Sequence, residues 1–369
     1  MWNRIRALAL KEFLALLRDK RSRILLVVPP IIQLLVFGYA ATYDLKQVPY
    51  ALYNEDSGPA SRELVARLRG SPHFRETTRM SSNGEIAPAV DSRLVLLVVH
   101  IGPRFSRDLE SGRQASLQLI VDGRNSNTAL IASGYVREIV GQFNAQWSAK
   151  HGLPAAPAAL ETRAWFNPNL ESRWFFLPGI IAILTLLLTM LVTALSVARE
   201  REQGTFDQLL VTPLRPFEIL VGKALPGFLI GFIEASVISL IAVFWFGIPM
   251  LGSLWTLYAA LALFLLSSVG IGLMISSLAV TQQQGMLGAF LFMVPAILLS
   301  GFATPIANMP PAIQTITLAD PVRYFLAILR KLFLEGAGIE ALAPEFWPMA
   351  AIGVVCLSLA AWLFRHRMY

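Results

Sequence analysis

The chain has 369 residues, 55% of them hydrophobic and only 15% charged, with a mean hydropathy of +0.57. Soluble domains carry about 25% charged residues, so a water-soluble enzyme of ordinary composition is excluded. The net charge of +7 would suit nucleic acid, but no basic stripe with interleaved aromatics occurs, and seven Lys and Arg residues precede the first apolar run, a placement that sets membrane orientation instead.

In chain order, residues 2–20 align Trp2, Ile5, Ala9, Phe13, Leu16 and Leu17 in one stripe, with Arg4, Lys11, Arg18 and Lys20 outside it. That is the pattern of a helix lying in the membrane interface, and an anchoring role fits as well as a gating one. The first apolar run, 24–43, holds 20 uncharged residues. It exceeds the about 7–15 residues of a cleaved signal's apolar region and is interrupted by Pro29, Pro30 and Gln33, so a retained first span is expected.

Segment 44–173 holds 15 basic and 13 acidic residues in 130 and reads as a folded, water-exposed domain. Strand patterns at 48–53, 93–100 and 116–121 alternate with helix patterns at 59–69 and 128–146, which predicts an α/β domain. The run Asp122-Gly123-Arg124-Asn125-Ser126-Asn127 lacks the spacing and terminal Glu of a calcium loop and reads as a turn followed by a helix cap. His73, His100 and His151 have no ligand-spaced partners, so no metal site is expected. Cys356, the single cysteine, permits no intrachain disulfide.

Five further spans are predicted at 174–198, 224–246, 254–279, 285–303 and 346–364. The strongest signal is the stretch Ala235 to Ala319, 85 residues without Asp, Glu, Lys or Arg, several times the about 20 residues needed for one crossing. The expected fold is a polytopic α-helical membrane protein with six transmembrane helices and an α/β external domain inserted between the first and second. Segments 1–23, 199–223 and 365–369 together hold 13 Lys and Arg, whereas 247–253 and 304–345 hold three. Both termini are therefore expected in the cytoplasm and 44–173 outside.

The loop at 199–223 is the informative polar element. As a short helix it would place Phe206, Leu209 and Leu210 on one face, suited to docking on another protein or to resting on headgroups. Gly204-Thr205 offers a bend and an N-cap, and Thr212-Pro213 a stop. Glu234 lies 11 residues into the third span, where a carboxylate is costly; it faces a translocation path, or it hydrogen-bonds Ser or Thr of a neighbouring span. Segment 304–345, with Pro310-Pro311, reads as re-entrant or interfacial helices capping the external mouth. No Walker A motif occurs: the nearest fragment, Gly222-Lys223-Ala224, has Phe217 where the first Gly belongs. Neither GxSxG nor HExxH is present, so no catalytic residues are assigned.

The run from Glu200 to Pro213, with Glu200, Gly204, Thr205, Leu209, Leu210, Thr212 and Pro213 in an E-x-x-x-G-T-x-x-x-L-L-x-T-P pattern, resembles the coupling segment of type 2 ABC exporter permeases. The resemblance extends over nearly the whole chain. It takes in Asp122-Gly123, Gly134-Tyr135, Trp165-Phe166-Asn167-Pro168, Leu177-Pro178-Gly179, Thr281-Gln282-Gln283-Gln284, Leu299-Ser300-Gly301-Phe302 with Pro305, Asn308-Met309-Pro310 and Pro321-Val322-Arg323-Tyr324-Phe325. Phe166 stands where Tyr is expected, a departure that touches packing.

The resemblance implies a bacterial inner-membrane permease of multidrug type, exporting drugs or other amphipathic small molecules. It implies a homo- or heterodimeric pore, separate ATPase subunits that bind ATP and Mg, and a periplasmic membrane-fusion adaptor contacting the external domain. No cofactor is expected on this chain. Glu200, Glu202, Gly204, Thr205, Phe206, Leu209, Leu210, Thr212 and Pro213 are the expected coupling residues; Ser300, Gly301, Pro305 and Pro310 mark the expected external gate. An ion-driven antiporter would need more intramembrane ionisable groups than Glu234. A membrane-anchored sensor or scaffold, whose external domain binds a partner without transport, is the alternative.

Overall fold

The computed structural model describes residues 1–40, 45–124, 126–152, 166–167, 171–206, 208, 212 and 214–367. Two compact units emerge, residues 42–163 and residues 1–41 with 164–369.

The first unit is an α/β fold built on a four-stranded sheet of order β2-β1-β3-β4. β1 (Val48–Asn54) pairs in parallel with β2 (Phe74–Met80) and with β3 (Leu97–Ile101), and β4 (Leu117–Val121) closes the edge antiparallel to β3. Strand periodicity sends Val48, Tyr50 and Leu52 to a core shared with α3 (Pro59–Gly70), α5 (Phe105–Glu110) and α6 (Ser126–His151). Ala51 and Tyr53 point to the opposite face, where α4 (Ile86–Asp91) supplies Ile86 and Ala89. Pro59 opens α3 at its first turn, where a missing N–H costs nothing. Two expectations are corrected. β3 begins at Leu97 rather than 93, because Arg93 adopts a φ of 59° and Leu94 is exposed. β2 was not expected: Arg75, Glu76, Thr77, Thr78 and Arg79 lie between Phe74 and Met80 on an edge strand, and that polarity hides it.

In the second unit, α1 (Trp2–Arg18) and α2 (Lys20–Ala40) precede, among the described residues, five helices that are long and apolar enough to cross a bilayer. These are α7 (Ser172–Glu202), α8 (Pro216–Phe244), α9 (Leu254–Leu278), α10 (Gln282–Leu299) and α13 (Ile339–Arg367). The expected span at 24–43 falls mostly on α2, which holds Pro29 and Pro30 and, among the described residues, the apolar stretch Leu26–Tyr39. The last span starts earlier than the expected 346, at Ile339, since Pro344 and Pro348 are accommodated within the helix.

α7 is the central element, buried along most of its length. Small residues let neighbouring backbones approach it: a Cβ on Gly285 of α10 would lie 2.9 Å from the Ala194 carbonyl oxygen. Hydroxyls tie the helices further. Ser276 Oγ accepts from Val197 N at 2.9 Å, and Ser267 Oγ donates to Met349 O at 3.1 Å.

After α10, a 3-10 turn (Ile306–Asn308) and α11 (Pro311–Ile316) lead to α12 (Pro321–Arg330). Asp320 caps α12, its Oδ1 accepting from Val322 N at 3.0 Å. Phe325 of α12 stacks on Phe264 of α9 with centroids 4.2 Å apart. Segment 304–345 is thus helical, and its second half packs into the core of the helical unit.

Candidate coupling site

The expected loop at 199–223 is shorter than its sequence suggests, because α7 runs on to Glu202 and α8 starts at Pro216. Gly204, at φ 68°, ends α7 in a left-handed turn. Thr205 N donates to Glu200 O at 3.0 Å and Gly204 N to Arg201 O at 3.1 Å, the paired bonds of a Schellman stop. Thr205 Oγ1 also donates to Glu200 O, at 3.4 Å. The Gly-Thr pair therefore ends α7, and the Thr205 hydroxyl reaches back to its last turn.

Three consecutive charged residues on this last turn reach three different neighbours. Arg201 Nη1 donates to the Ser277 and Ala279 carbonyls at 2.8 and 3.2 Å, closing the C-terminus of α9. Glu202 Oε2 accepts from Gln282 N at 2.8 Å, at the start of α10, where a carboxylate complements the helix N-terminus. Glu200 turns inward. Its Oε1 accepts from Lys11 Nζ at 2.9 Å, and its Oε2 lies 2.6 Å from Lys223 Nζ.

Lys223, on α8, has no side-chain exposure. A buried ammonium is tolerated only when paired and hydrogen-bonded. Lys223 meets that condition with Glu200, with Glu12 Oε1 at 3.2 Å and with Ser196 O at 3.3 Å. Two lysines and two glutamates from α1, α7 and α8 thus form one neutral cluster. Burial raises the Glu12 carboxyl above its usual range, with Lys223 opposing and Glu200 reinforcing the shift. For Lys11, burial lowers the ammonium pKa, but the Glu200 hydrogen bond and charge outweigh it and the net shift is upward. The cluster forms one wall of a cavity of about 420 Å³ that is also lined by Arg199, Gln203, Thr205, Gln208 and Thr212.

Phe206 departs from expectation. It is 7% exposed and packs with Leu8, Val197, Ile219 and Phe364, its ring edge-on to Phe364 at 6.2 Å and under the Arg201 guanidinium at 5.0 Å. It anchors the segment instead of presenting a docking face. Leu209, Leu210 and Pro213 lie outside the described residues, while Thr212 lines the cavity.

Glu234 is buried in α8, and neither carboxylate oxygen has a hydrogen-bond partner among the described residues. Of the two alternatives for Glu234, the bond to a neighbouring Ser or Thr is not formed among the described residues. On α7, the hydroxyls of Thr185 and Thr189 are buried and equally unpartnered. Gly227 packs on Thr193 and Gly231 on Thr189; one turn further along this antiparallel pair, the register carries Thr185 to the level of Glu234.

The expected gate residues fall into one region. Ser300 Oγ donates to Ile297 O at 2.8 Å and accepts from Phe302 N at 3.2 Å, while Gly301 takes a φ of 86°. Pro305 and Pro310 precede the 3-10 turn and α11. The Arg330 guanidinium sits 3.9 Å from the Phe175 ring centroid, beside Gly301.

The ABC-2 family transporter protein profile matches residues 20–362. This chain belongs to the ABC-2 transporter family. The probable multidrug ABC transporter permease YbhR of Escherichia coli (strain K12) is 41% identical over 369 residues, covering all of both chains. YbhS, another probable multidrug ABC transporter permease of that strain, is 35% identical over 372 residues, 99% of this chain and 97% of its own. The inner membrane transport permease YhhJ is 30% identical over 366 residues, 98% and 96% of the two chains. As an ABC-2 permease the chain is a membrane-embedded transport subunit whose ATPase is a partner protein.

Within this permease, the structure joins Glu200, Glu202, Gly204, Thr205 and Phe206 in one hub at the end of α7, distinct in sequence and contacts from Glu234 and from the 300–310 segment. Sequence reasoning missed Lys223, Lys11 and Glu12. A signal existed for the first: Lys223 and Glu200 are opposite charges at the facing ends of two consecutive spans joined by a short loop, where like levels in the bilayer bring them together.

Proposed function

We propose that this permease forms half of a dimeric path across the bacterial inner membrane and exports drugs or other amphipathic small molecules. Separate ATPase subunits, charged with Mg and ATP, drive it. Its termini lie in the cytoplasm, α2 is a sixth crossing, and residues 44–173 stand in the periplasm, where a membrane-fusion adaptor meets them. The distribution of Lys and Arg supports that orientation.

The observation that carries the coupling part is the buried Lys223 held by Glu200 and Glu12. A push on the segment that follows Gly204 acts on the last turn of α7. From there the ion pairs pass it to α1 and α8 together, because breaking a buried pair is costly. The cavity lined by Gln203, Gln208 and Thr212 is where an ATPase element would bear on this turn. Glu234, with Thr185 and Thr189, supplies polar groups inside the helical unit for a cationic substrate. Ser300, Gly301, Pro305 and Pro310 form the hinge of the external gate.

The test is co-purification from native membranes in mild detergent, followed by ATPase assay with and without drug. An ATPase subunit at about one per permease, with drug-stimulated hydrolysis lost in Lys223→Met and basal hydrolysis retained, is the expected result. A permease that purifies alone under several gentle conditions would argue for a sensor or scaffold.

A further inference from the structure

A second cavity, of about 690 Å³, lies in the external α/β unit between the edge strand β4 and α6. It is a half-open groove, and its volume falls within the about 300–1,000 Å³ range of small-molecule sites. Its floor is the buried pair Phe105 and Phe143. Leu117, Leu119 and Val121, the residues of β4 that alternate toward α6, are left only half-buried along its wall. Among the described residues, the part of their apolar surface that faces away from the core has no cover.

Two features give the site chemical character. The lining holds no Asp or Glu, and its single charge is Arg137, exposed on α6 and in no ion pair among the described residues. Gly141, one helical turn on, also lines the cavity, and a Cβ built there meets nothing within 4 Å. Glycine in a helix interior costs about 1 kcal/mol relative to Ala, and no close backbone approach accounts for it here. Its effect is to keep the α6 wall open.

We infer that this groove binds an amphipathic organic anion, its apolar body against Phe105, Phe143 and β4 and its acidic group at Arg137. The site lies in the external unit, apart in sequence from the helices that carry Glu234, and the inference does not depend on the direction of transport. Nothing in the lining would neutralise a cationic headgroup, and a neutral apolar compound would leave Arg137 unused.

The full-length permease in lipid nanodiscs would be exposed to a photoactivatable long-chain carboxylate and, separately, to its methyl ester, with labelled peptides mapped by mass spectrometry. Labelling by the carboxylate is expected in the peptides containing Leu117 to Val121 and Val136 to Asn144. Gly141→Phe, which fills the groove without a backbone clash and suits the helix, should abolish that labelling while membrane-helix labelling persists. Arg137→Glu should reduce carboxylate labelling about tenfold, the loss of one charge-assisted hydrogen bond, and leave the ester unchanged. Labelling confined to membrane helices, or groove labelling indifferent to Gly141→Phe, overturns the inference. So does protection of the β4 backbone amides by a protein partner without amphiphile labelling, which would assign the edge to an added strand.

Discussion

Lys223 Nζ lies 2.6 Å from Glu200 Oε2, joining the early part of α8 to the last turn of α7 where neither side chain is open to solvent. The loop between them would allow many separations; the pair selects one. Lys223→Met leaves Glu200 and Glu12 facing one another with only the exposed Lys11 to offset them. Such orphaned charge costs about 3–5 kcal/mol. A lowered unfolding temperature in detergent is expected, together with lost drug-stimulated ATPase. The exchanged double variant Glu200→Lys with Lys223→Glu should recover part of both. Equal loss in the single and double variants would show that the pair acts only through packing.

Gly204 offers a cleaner test of the helix stop. At φ 68° it occupies the left-handed region, which costs a side-chain-bearing residue about 1–2 kcal/mol. No atom crowds a Cβ there, so Gly204→Ala isolates the backbone term. Stimulated ATPase should fall with little change in global unfolding. The control is Gly134→Ala on α6, also uncrowded but without positive φ, and it should be neutral or stabilising.

How much was legible before the structure depends on which physical signal each element emits. Span 254–279 matches α9 within a residue because lipid-like composition leaves no charge for 85 residues around it. The uncharged run at 24–43 falls mostly within α2, Lys20–Ala40, whose apolar stretch among the described residues is Leu26–Tyr39. β2 was invisible because a polar edge strand has no apolar face to display. For the coupling hub, the spacing of Phe206, Leu209 and Leu210 marks an apolar face but carries no information on what that face meets; Phe206 meets Leu8 and Phe364. Glu200 was found through its motif, whereas Lys11 and Glu12 sit more than 180 residues away and only tertiary packing joins them.

Glu234→Gln keeps the volume of the side chain and removes its capacity for charge. With both carboxylate oxygens unpartnered among the described residues, folding should be unaffected or slightly improved. Export of monocationic drugs should drop about tenfold relative to neutral ones, the worth of one ion pair in a shielded site. Vesicle transport assays with a matched cation and neutral analogue decide it. A parallel loss for both would place Glu234 in the structure of the helix pair and outside the substrate path.

In the α/β unit, His100 Nε2 and Glu55 Oε2 are 2.8 Å apart, with the imidazole stacked on Tyr53 at 4.5 Å and its Nδ1 paired to Gln118 Oε1 at 3.0 Å. Burial works against the charged ring, but the bonds to Gln118 and Glu55 outweigh it and raise the His100 pKa above 6.5. The His100 hydrogen bond, with that from Tyr53, lowers the Glu55 pKa below 4.5. A raised histidine stabilises fully below its unfolded pKa and loses that contribution as pH rises through the folded value; a lowered carboxylate stabilises above its unfolded pKa and loses it as pH falls. The pair therefore contributes most between about pH 4.5 and 6.5, and the β1 and β3 amides should exchange faster at pH 8 than at pH 6 after correction for intrinsic rates. In His100→Gln the corrected rates should be the same at the two values. If the wild-type difference persists in that variant, another titrating group governs the strand pair.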